Sequence, residues 1–144
     1  MPSRVLELDI LPQLFAVARF DADTDIPAWA ESSPFVSITR TPGELSVLCH
    51  EVVLPASIDA HRGLRCLAVR GPLDFSDIGI LASLTQTLAA IDVSVFVVST
   101  YDTDYLLVAS ARLDAAARAL TDSGHVVHGC ETDEPDSLEA REPK

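Results

Sequence analysis

The chain has few cysteines, few cations and no long apolar run, and each shortage excludes a class of protein. Three cysteines in 144 residues, Cys49, Cys66 and Cys130, are odd in number and widely spaced, which argues against a disulfide framework. Ten lysines and arginines against 22 acids give a net charge of −12, so no cationic face is expected for nucleic acid or an anionic membrane. No apolar run reaches the roughly 18 residues that cross a bilayer, and the N-terminus lacks a signal-peptide pattern. We therefore expect a cytoplasmic protein with free thiols that binds neither nucleic acid nor membrane.

Motifs of catalysis are also missing. The sequence has no glycine-rich phosphate loop, no Gly-x-Ser-x-Gly elbow and no Cys-x-x-Cys pair, and its four histidines do not stand at metal-ligand spacing. We expect no enzyme, no cofactor and no metal. A hidden acid–base site that combines Asp102 and Asp104 with a histidine is the alternative left open.

The strongest structural signals lie in one block between Arg65 and Val108. Cys66–Val69 is a short apolar run ended by Gly71 and Pro72, and the run Val93–Val98 is rich in β-branched residues, so both predict strands. Apolar residues recur between them at helical spacing, which predicts a helix over about 77–91. These residues are Leu81, Leu84, Leu88 and Ile91.

The pattern after Val108 completes a recognisable order of elements. Ala115–Leu120 is a run of helix formers stopped by Gly124, and Val126–His128 suits a last short strand. The predicted order is therefore β-α-β-β-α-β, the ferredoxin-like arrangement, in which an antiparallel sheet carries its helices on one face.

The N-terminal half predicts a related arrangement. Leu14–Phe20 suits a strand, Pro27 and Pro34 leave room for only one or two helical turns, and Pro42-Gly43 predicts a turn between strands at 35–39 and 45–53. The segment from 35 to 47 matches that from 96 to 108 without a gap at a shift of 61 residues. We therefore expect a duplication, with modules at 1–62 (with a short first helix) and 63–130, followed by a disordered acidic tail at 131–144.

Two segments carry a resemblance to a known family. Gly71–Leu81 (GPLDFSDIGIL) and Ser99–Val108 (STYDTDYLLV) resemble the ACT domain, and more narrowly the small bacterial tandem ACT proteins related to the cytosolic arginine sensor Castor. Ile78 stands where the family's helix-start motif has proline. The resemblance implies an α+β fold of two ACT-like modules in tandem. It also implies a regulatory function, in which an amino acid, arginine first, binds at the seam between the two copies.

The chemistry of such a site can be read from the residues. The turn from a strand into a helix leaves free N–H groups at 75–80 that suit a carboxylate, and Asp102 and Asp104 in the hairpin suit an amino or guanidinium group. From the first module, the segment 42–47 would face them across the seam. The predicted ligand-binding residues are Ser46, Val47, Asp74, Phe75, Ser76, Ile78, Gly79, Ile80, Ser99, Thr100, Asp102 and Asp104.

Structural roles compete with these assignments. Asp74 or Ser76 alone suits a helix cap, Asp102 suits a hairpin, and Gly79 suits close packing of the helix. At the level of function, the alternative is a ligand-free interaction module that docks a partner through its apolar sheet face. Exposed strand edges further predict a homodimer.

Overall fold

A computed structural model describes residues 4–74 and 76–129, so that Phe75, Cys130 and the predicted tail at 131–144 lie outside it. The chain divides into two compact units. The first unit comprises residues 12–66, and the second unit joins the residues up to Leu11 with those from Leu67 onward. The predicted modules at 1–62 and 63–130 differ from these units mainly in the place of the first strand, which belongs to the second unit.

The described residues form eight strands and two α-helices. In chain order they are β1 (Glu7–Ile10), β2 (Phe15–Phe20), β3 (Val36–Thr41), β4 (Glu44–His50), β5 (Ala60–Val69), α1 (Ile80–Ala89), β6 (Phe96–Ser99), β7 (Asp104–Ala109), α2 (Leu113–Asp122) and β8 (Val126–His128). Strand β5 contributes to both units: its first part pairs with β2, and Leu67–Val69 pair with β1.

The first unit is an antiparallel sheet in the order β3-β4-β2-β5. Alternate apolar residues of its strands form a core with Ala30 of a 3-10 helix at Ala28–Ser32. That helix stays short, as predicted, because Pro27 precedes it and Pro34 follows it closely. Buried Cys49 lies in this core as a free thiol, and burial raises its pKa.

The hairpins of the two units differ in their turns. Strands β3 and β4 close on the pair Thr41–Glu44, with two residues between, whereas β6 and β7 close on Ser99–Asp104, with four between. A gapless shift of 61 residues therefore does not superimpose the paired residues of the two hairpins. The tandem duplication stays a prediction, and it requires a gap in this loop.

In the second unit the order β5-α1-β6-β7-α2-β8 agrees with the predicted βαββαβ order. The expectation of a purely antiparallel sheet is wrong, because β1 lies between β5 and β8 and runs parallel to β8. The sheet is therefore mixed. The sequence of β1 gave no sign of its partners, since strand pairing depends on residues far away in the sequence.

Both α-helices of the second unit pack into one core with this sheet. Leu84 and Leu88 of α1 are fully buried, as their four-residue spacing predicts, and α2 buries Leu113, Ala116, Ala117 and Leu120. Each fully buried leucine contributes about 1.5–3 kcal/mol through removal of its side chain from water. Free Cys66 is buried too, and burial raises the pKa of its thiol to about 12.

Polar contacts fix β1 in its central position. The N–H of Leu6 donates to Nδ1 of buried His125 over 3.1 Å, and the described residues offer no partner to Nε2 of that histidine. Burial lowers the pKa of His125. On the solvent side, the Arg70 guanidinium binds Asp9 through two 2.9 Å hydrogen bonds, which lower the pKa of Asp9, and it also binds Glu7 at 2.9 Å.

The boundaries of two predicted elements are corrected. Helix α1 begins at Ile80 rather than near Asp77, because Asp74 to Asp77 form a separate turn. The predicted strand Val93–Val98 begins only at Phe96. Val93 is apolar because it is buried in the core, and its position there requires no strand.

Among the described residues, no helix is both long and apolar enough to cross a membrane. The same residues contain no group of three or more His, Cys, Asp or Glu side chains with the arrangement of a metal site.

Candidate functional site

A cavity of about 320 Å³ lies within the second unit. Three segments line it: the turn before α1, the first turn of α1 and the loop between β6 and β7. The lining residues are Leu73, Asp74, Asp77, Gly79, Ile80, Leu81, Ala82, Ser99, Thr100, Tyr101, Asp102, Thr103 and Asp104.

The turn before α1 is held by its own side chains. Oδ1 of Asp74 accepts hydrogen bonds from the N–H and the hydroxyl of Ser76, both at 3.1 Å, and these bonds lower the pKa of Asp74. The N–H of Asp77 donates to the carbonyl of Asp74, and the N–H of Asp74 donates to Oδ2 of Asp77. Asp74 and Ser76 therefore shape this turn, and the prediction that either one caps the helix is wrong.

Gly79 is the residue at which the helix starts. Its φ of +82° is the left-handed conformation that glycine adopts without strain, and a Cβ built there would contact nothing within 4 Å. The packing role considered for Gly79 is therefore wrong, since its backbone conformation explains the glycine. Its carbonyl accepts the first intrahelical bond, from Ser83.

The N-cap residue of α1 is Gly79, which has no side chain with which to cap the helix. Ser83 is the first residue whose N–H donates within the helix, so the N–H groups of Ile80, Leu81 and Ala82 have no intrahelical acceptor. All three residues line the cavity. The positive end of the helix dipole is thus open to whatever occupies the cavity.

The β6–β7 loop faces this helix end. Thr100 and Thr103 close it with reciprocal hydrogen bonds, in which each backbone N–H donates to an oxygen of the other residue. Two bonds connect the loop to the rest of the unit: the hydroxyl of Thr103 donates to the carbonyl of Val69 at 2.6 Å, and the N–H of Leu73 donates to the carbonyl of Asp102 at 2.7 Å.

Gly71 permits this close approach. A Cβ at that position would lie 3.0 Å from the backbone oxygen of Asp102 and 3.1 Å from Cβ of Thr103. Any larger residue would displace the loop, because the nearest atom belongs to the backbone.

Negative charge dominates the cavity. Asp74, Asp77, Asp102 and Asp104 line it, and no lysine, arginine or histidine is among its lining residues in the described part of the chain. The hydroxyl of Ser99 donates to Oδ1 of Asp104 at 2.6 Å. A purely anionic ligand would be repelled here, whereas a zwitterion or a cation would be attracted.

Seven of the predicted ligand-binding residues line this one cavity. They are Asp74, Gly79, Ile80, Ser99, Thr100, Asp102 and Asp104. Ser76 is not among the lining residues, and Phe75 lies outside the described residues. Ile78 is 94% exposed and lines a second cavity of about 100 Å³.

The two predicted residues of the first module lie in the first unit. Ser46 pairs with Arg19 and Thr39 in the sheet. Val47 has an exposed fraction of 0% and lies in the core of that unit, so its side chain is not open to a ligand.

Six lining residues were not among the individually predicted ligand-binding residues: Leu73, Asp77, Leu81, Ala82, Tyr101 and Thr103. The positive φ of Gly79 explains two of them, because a helix start at Gly79 places Leu81 and Ala82 in the first turn. The Thr-x-x-Thr spacing of the loop was a signal for Thr103, since threonines three apart can close a turn through side-chain to backbone bonds.

Comparison with known proteins agrees with this fold. Residues 59–122 match the family model of the ACT domain, and residues 13–57 match a second model, described as an N-terminal domain. Residues 59–122 are thus similar to an ACT domain, and the prediction of an α+β, ACT-like fold is confirmed, whereas the arrangement of two such modules in tandem stays a prediction.

A solved relative then extends the match to most of the chain. Protein Atu0741 from Agrobacterium tumefaciens is 38% identical, with 87% of this chain and 93% of that chain covered and a TM-score of 0.81. This chain belongs to the same family as Atu0741. No curated protein matches the chain.

More distant structures share only the fold. A Vibrio cholerae protein of unknown function, described as a possible transport protein, is 15% identical over 81% of this chain and 88% of its own, with a TM-score of 0.67. The regulatory subunit of aspartate kinase from Thermus thermophilus is 13% identical over 81% of this chain and 96% of its own, with a TM-score of 0.55. The closer relation to the Castor arginine sensor stays a prediction.

Proposed function

We propose that the protein is a small-molecule sensor that binds a free amino acid, with arginine as the first candidate, and performs no chemistry of its own. The observation that carries this proposal is the arrangement of the 320 Å³ cavity, in which an uncapped helix start lies opposite an acidic loop. These two ends complement the two charges of an amino acid.

The helix end suits the α-carboxylate. Free N–H groups at the start of a helix, together with the helix dipole, attract anions. Ile80, Leu81 and Ala82 supply such groups. Because the surrounding aspartates repel an anion, we expect the carboxylate to bind only when its ligand also carries a cation.

The loop end suits that cation. Asp102 lies in the loop and Asp104 is the first residue of β7, and the carbonyls of the loop are further acceptors. A cavity of about 300 Å³ lies at the lower end of the range for small-molecule sites, which favours a metabolite over a large cofactor.

The comparisons support a regulatory role. ACT domains are regulatory modules in the family that the sequence resembles, and one structure of the same fold is the regulatory subunit of an aspartate kinase. The location of the ligand at a seam with Ser46 and Val47, a homodimer, and a cytoplasmic location stay predictions.

A thermal-shift screen of the twenty amino acids, followed by calorimetry of any compound that stabilises the protein, tests the proposal. A ligand at a hundredfold excess over its Kd adds about 2.7 kcal/mol to the free energy of unfolding. Asp102→Asn should weaken binding about tenfold, since a charge-assisted hydrogen bond contributes about 1.5 kcal/mol at the weak end of its range.

Asp122→Asn is the matched control. Asp122 is an exposed residue at the end of α2, outside the cavity, and its replacement changes the net charge equally. Equal loss of affinity in both variants would contradict the proposed location. Absence of any stabilising amino acid would contradict the sensor function.

One observation favours the interaction module as a second candidate. Tyr101, which lines the larger cavity, and Ile78, which lines the smaller one, are 89% and 94% exposed. Exposed large apolar side chains mark interaction sites when they form a patch. If no amino acid stabilises the protein, a partner protein that covers these side chains becomes the better explanation.

A further inference from the structure

Asp77 is the one carboxylate that lines both cavities of the second unit among the described residues. Its Oδ2 accepts a hydrogen bond from Nη1 of Arg4 at 2.8 Å and another from the N–H of Asp74 at 3.2 Å. Arg4 belongs to the segment before β1 and lines the smaller cavity. A guanidinium of the protein itself is therefore bound at the wall of the proposed ligand site.

The ion pair between Arg4 and Asp77 is weak enough for a ligand to replace Arg4. The side chains of Arg4 and Asp77 are 51% and 29% exposed, and exposed ion pairs are weak because water competes for both partners. Because Asp77 also lines the larger cavity, a ligand cation that binds there comes close to the same carboxylate. Two cations at one carboxylate repel each other, so one of them must leave or bind more weakly.

We propose that Arg4 is a specificity-determining residue that competes with the cationic side chain of the ligand for Asp77. Binding of such a ligand releases the segment before Leu6 from the turn at Asp74 to Asp77. This inference rests on the proposed function of the larger cavity and adds a residue that lies outside that cavity.

The release is limited to Arg4 and Val5 of the described residues. Leu6 is held independently, since its N–H donates to His125 and its carbonyl accepts from Val126. Strand β1 thus stays in the sheet while the segment before it becomes free. A sensor needs such a change on its surface, because a partner must distinguish the bound from the empty protein.

Calorimetry with L-arginine tests the competition. Arg4→Gln should bind L-arginine about two- to fivefold more tightly than the wild type, which is the range that removal of an exposed ion pair allows. Arg118→Gln on the exposed side of α2 is the control for the change of net charge and should bind as the wild type does. L-citrulline, which has the same shape with an uncharged end group, should show no difference between wild type and Arg4→Gln.

A double-mutant cycle assigns the effect to Asp77. In an Asp77→Asn background, Arg4→Gln should leave the affinity for L-arginine unchanged, because the group for which arginine and Arg4 compete is gone. The melting temperature of each variant without ligand checks that the fold is intact.

Trypsin measures the release directly. Trypsin cleaves after Arg4, and saturating L-arginine should increase the rate of loss of residues 1–4 by at least twofold relative to an added reference peptide. In Asp77→Asn the rate should be high with or without L-arginine.

The outcomes separate the two proposals. If the wild type binds L-arginine while Arg4→Gln binds it equally or more weakly, or if L-arginine leaves the cleavage rate unchanged, the competition is wrong and the proposed function stands. If Arg4→Gln also tightens L-citrulline, the effect is steric and the competition is wrong. If neither protein binds L-arginine, the competition is wrong, whereas the sensor function fails only if no amino acid stabilises the protein. Binding of L-arginine by Arg4→Gln alone supports the competition.

Discussion

The hydroxyl of Thr103 is the contact by which the cavity's loop is most easily tested. Thr103→Val keeps the shape and the β-branch of the side chain but removes the 2.6 Å hydrogen bond to the carbonyl of Val69. Because the bond is buried, its loss should cost about 1–3 kcal/mol. For a chain of this length, that corresponds to a fall of about 3–10 °C in the melting temperature.

Thr121→Val provides the matched control. The hydroxyl of Thr121 also donates to a backbone carbonyl, that of Ala117, at 2.9 Å, but Thr121 is exposed on α2 and water replaces the bond. The two variants make the same chemical change in the same unit. We expect the control to lie within about 0.5 kcal/mol of the wild type.

The assay is thermal unfolding with and without the ligand found in the screen. Thr103→Val should lose both stability and ligand affinity, since the loop that carries Asp102 and Asp104 is no longer held at Val69. If the two valine variants melt at the same temperature, the bond from Thr103 does not fix the loop, and the cavity geometry argued from it is wrong.

Two further perturbations address the same unit. Gly71→Ala should destabilise the protein by about 1–3 kcal/mol in chemical denaturation and weaken ligand binding, because the added Cβ meets the backbone of Asp102. Gly43→Ala is the control and should be near neutral in the same assay, because its Cβ would make only ordinary van der Waals contact. Since burial lowers the pKa of His125 below its unfolded value of about 6.5, the free energy of unfolding should be constant above about pH 7.5 and fall below pH 6.5, by at most about 1.4 kcal/mol per pH unit. His125→Gln should flatten this fall in urea titrations between pH 5 and 8, and His61→Gln on the surface should not; equal profiles in all three proteins would refute the assignment.

Sequence patterns predicted the second unit well where the information is local. The leucines of α1 recur with the period of a helix, and Gly124 stops α2, so both helices and their order follow from neighbouring residues. The start of α1 did not follow, because the bonds among Asp74, Ser76 and Asp77 form a turn whose composition also suits a first helical turn.

What failed depends on residues distant in the sequence. The pairing of β1 with β8, and of Arg4 with Asp77, joins segments that no periodicity relates. The site was predicted in part for the same reason. The loop and the helix start that line the cavity have local signals, whereas Leu73 lines it only through the tertiary arrangement.

The central position of β1 has a consequence for the synthesis of the protein. Leu6 leaves the ribosome 119 residues before its partner His125, which at about 5–20 residues per second is a delay of roughly 6–24 s. The first unit is contiguous and can fold meanwhile, while Leu8 and Ile10 remain unburied until the last strand is made. A fragment cut at residue 59, where the ACT match begins, would lack β1 altogether and leave β8 without its partner, so the excised domain should be prone to aggregate.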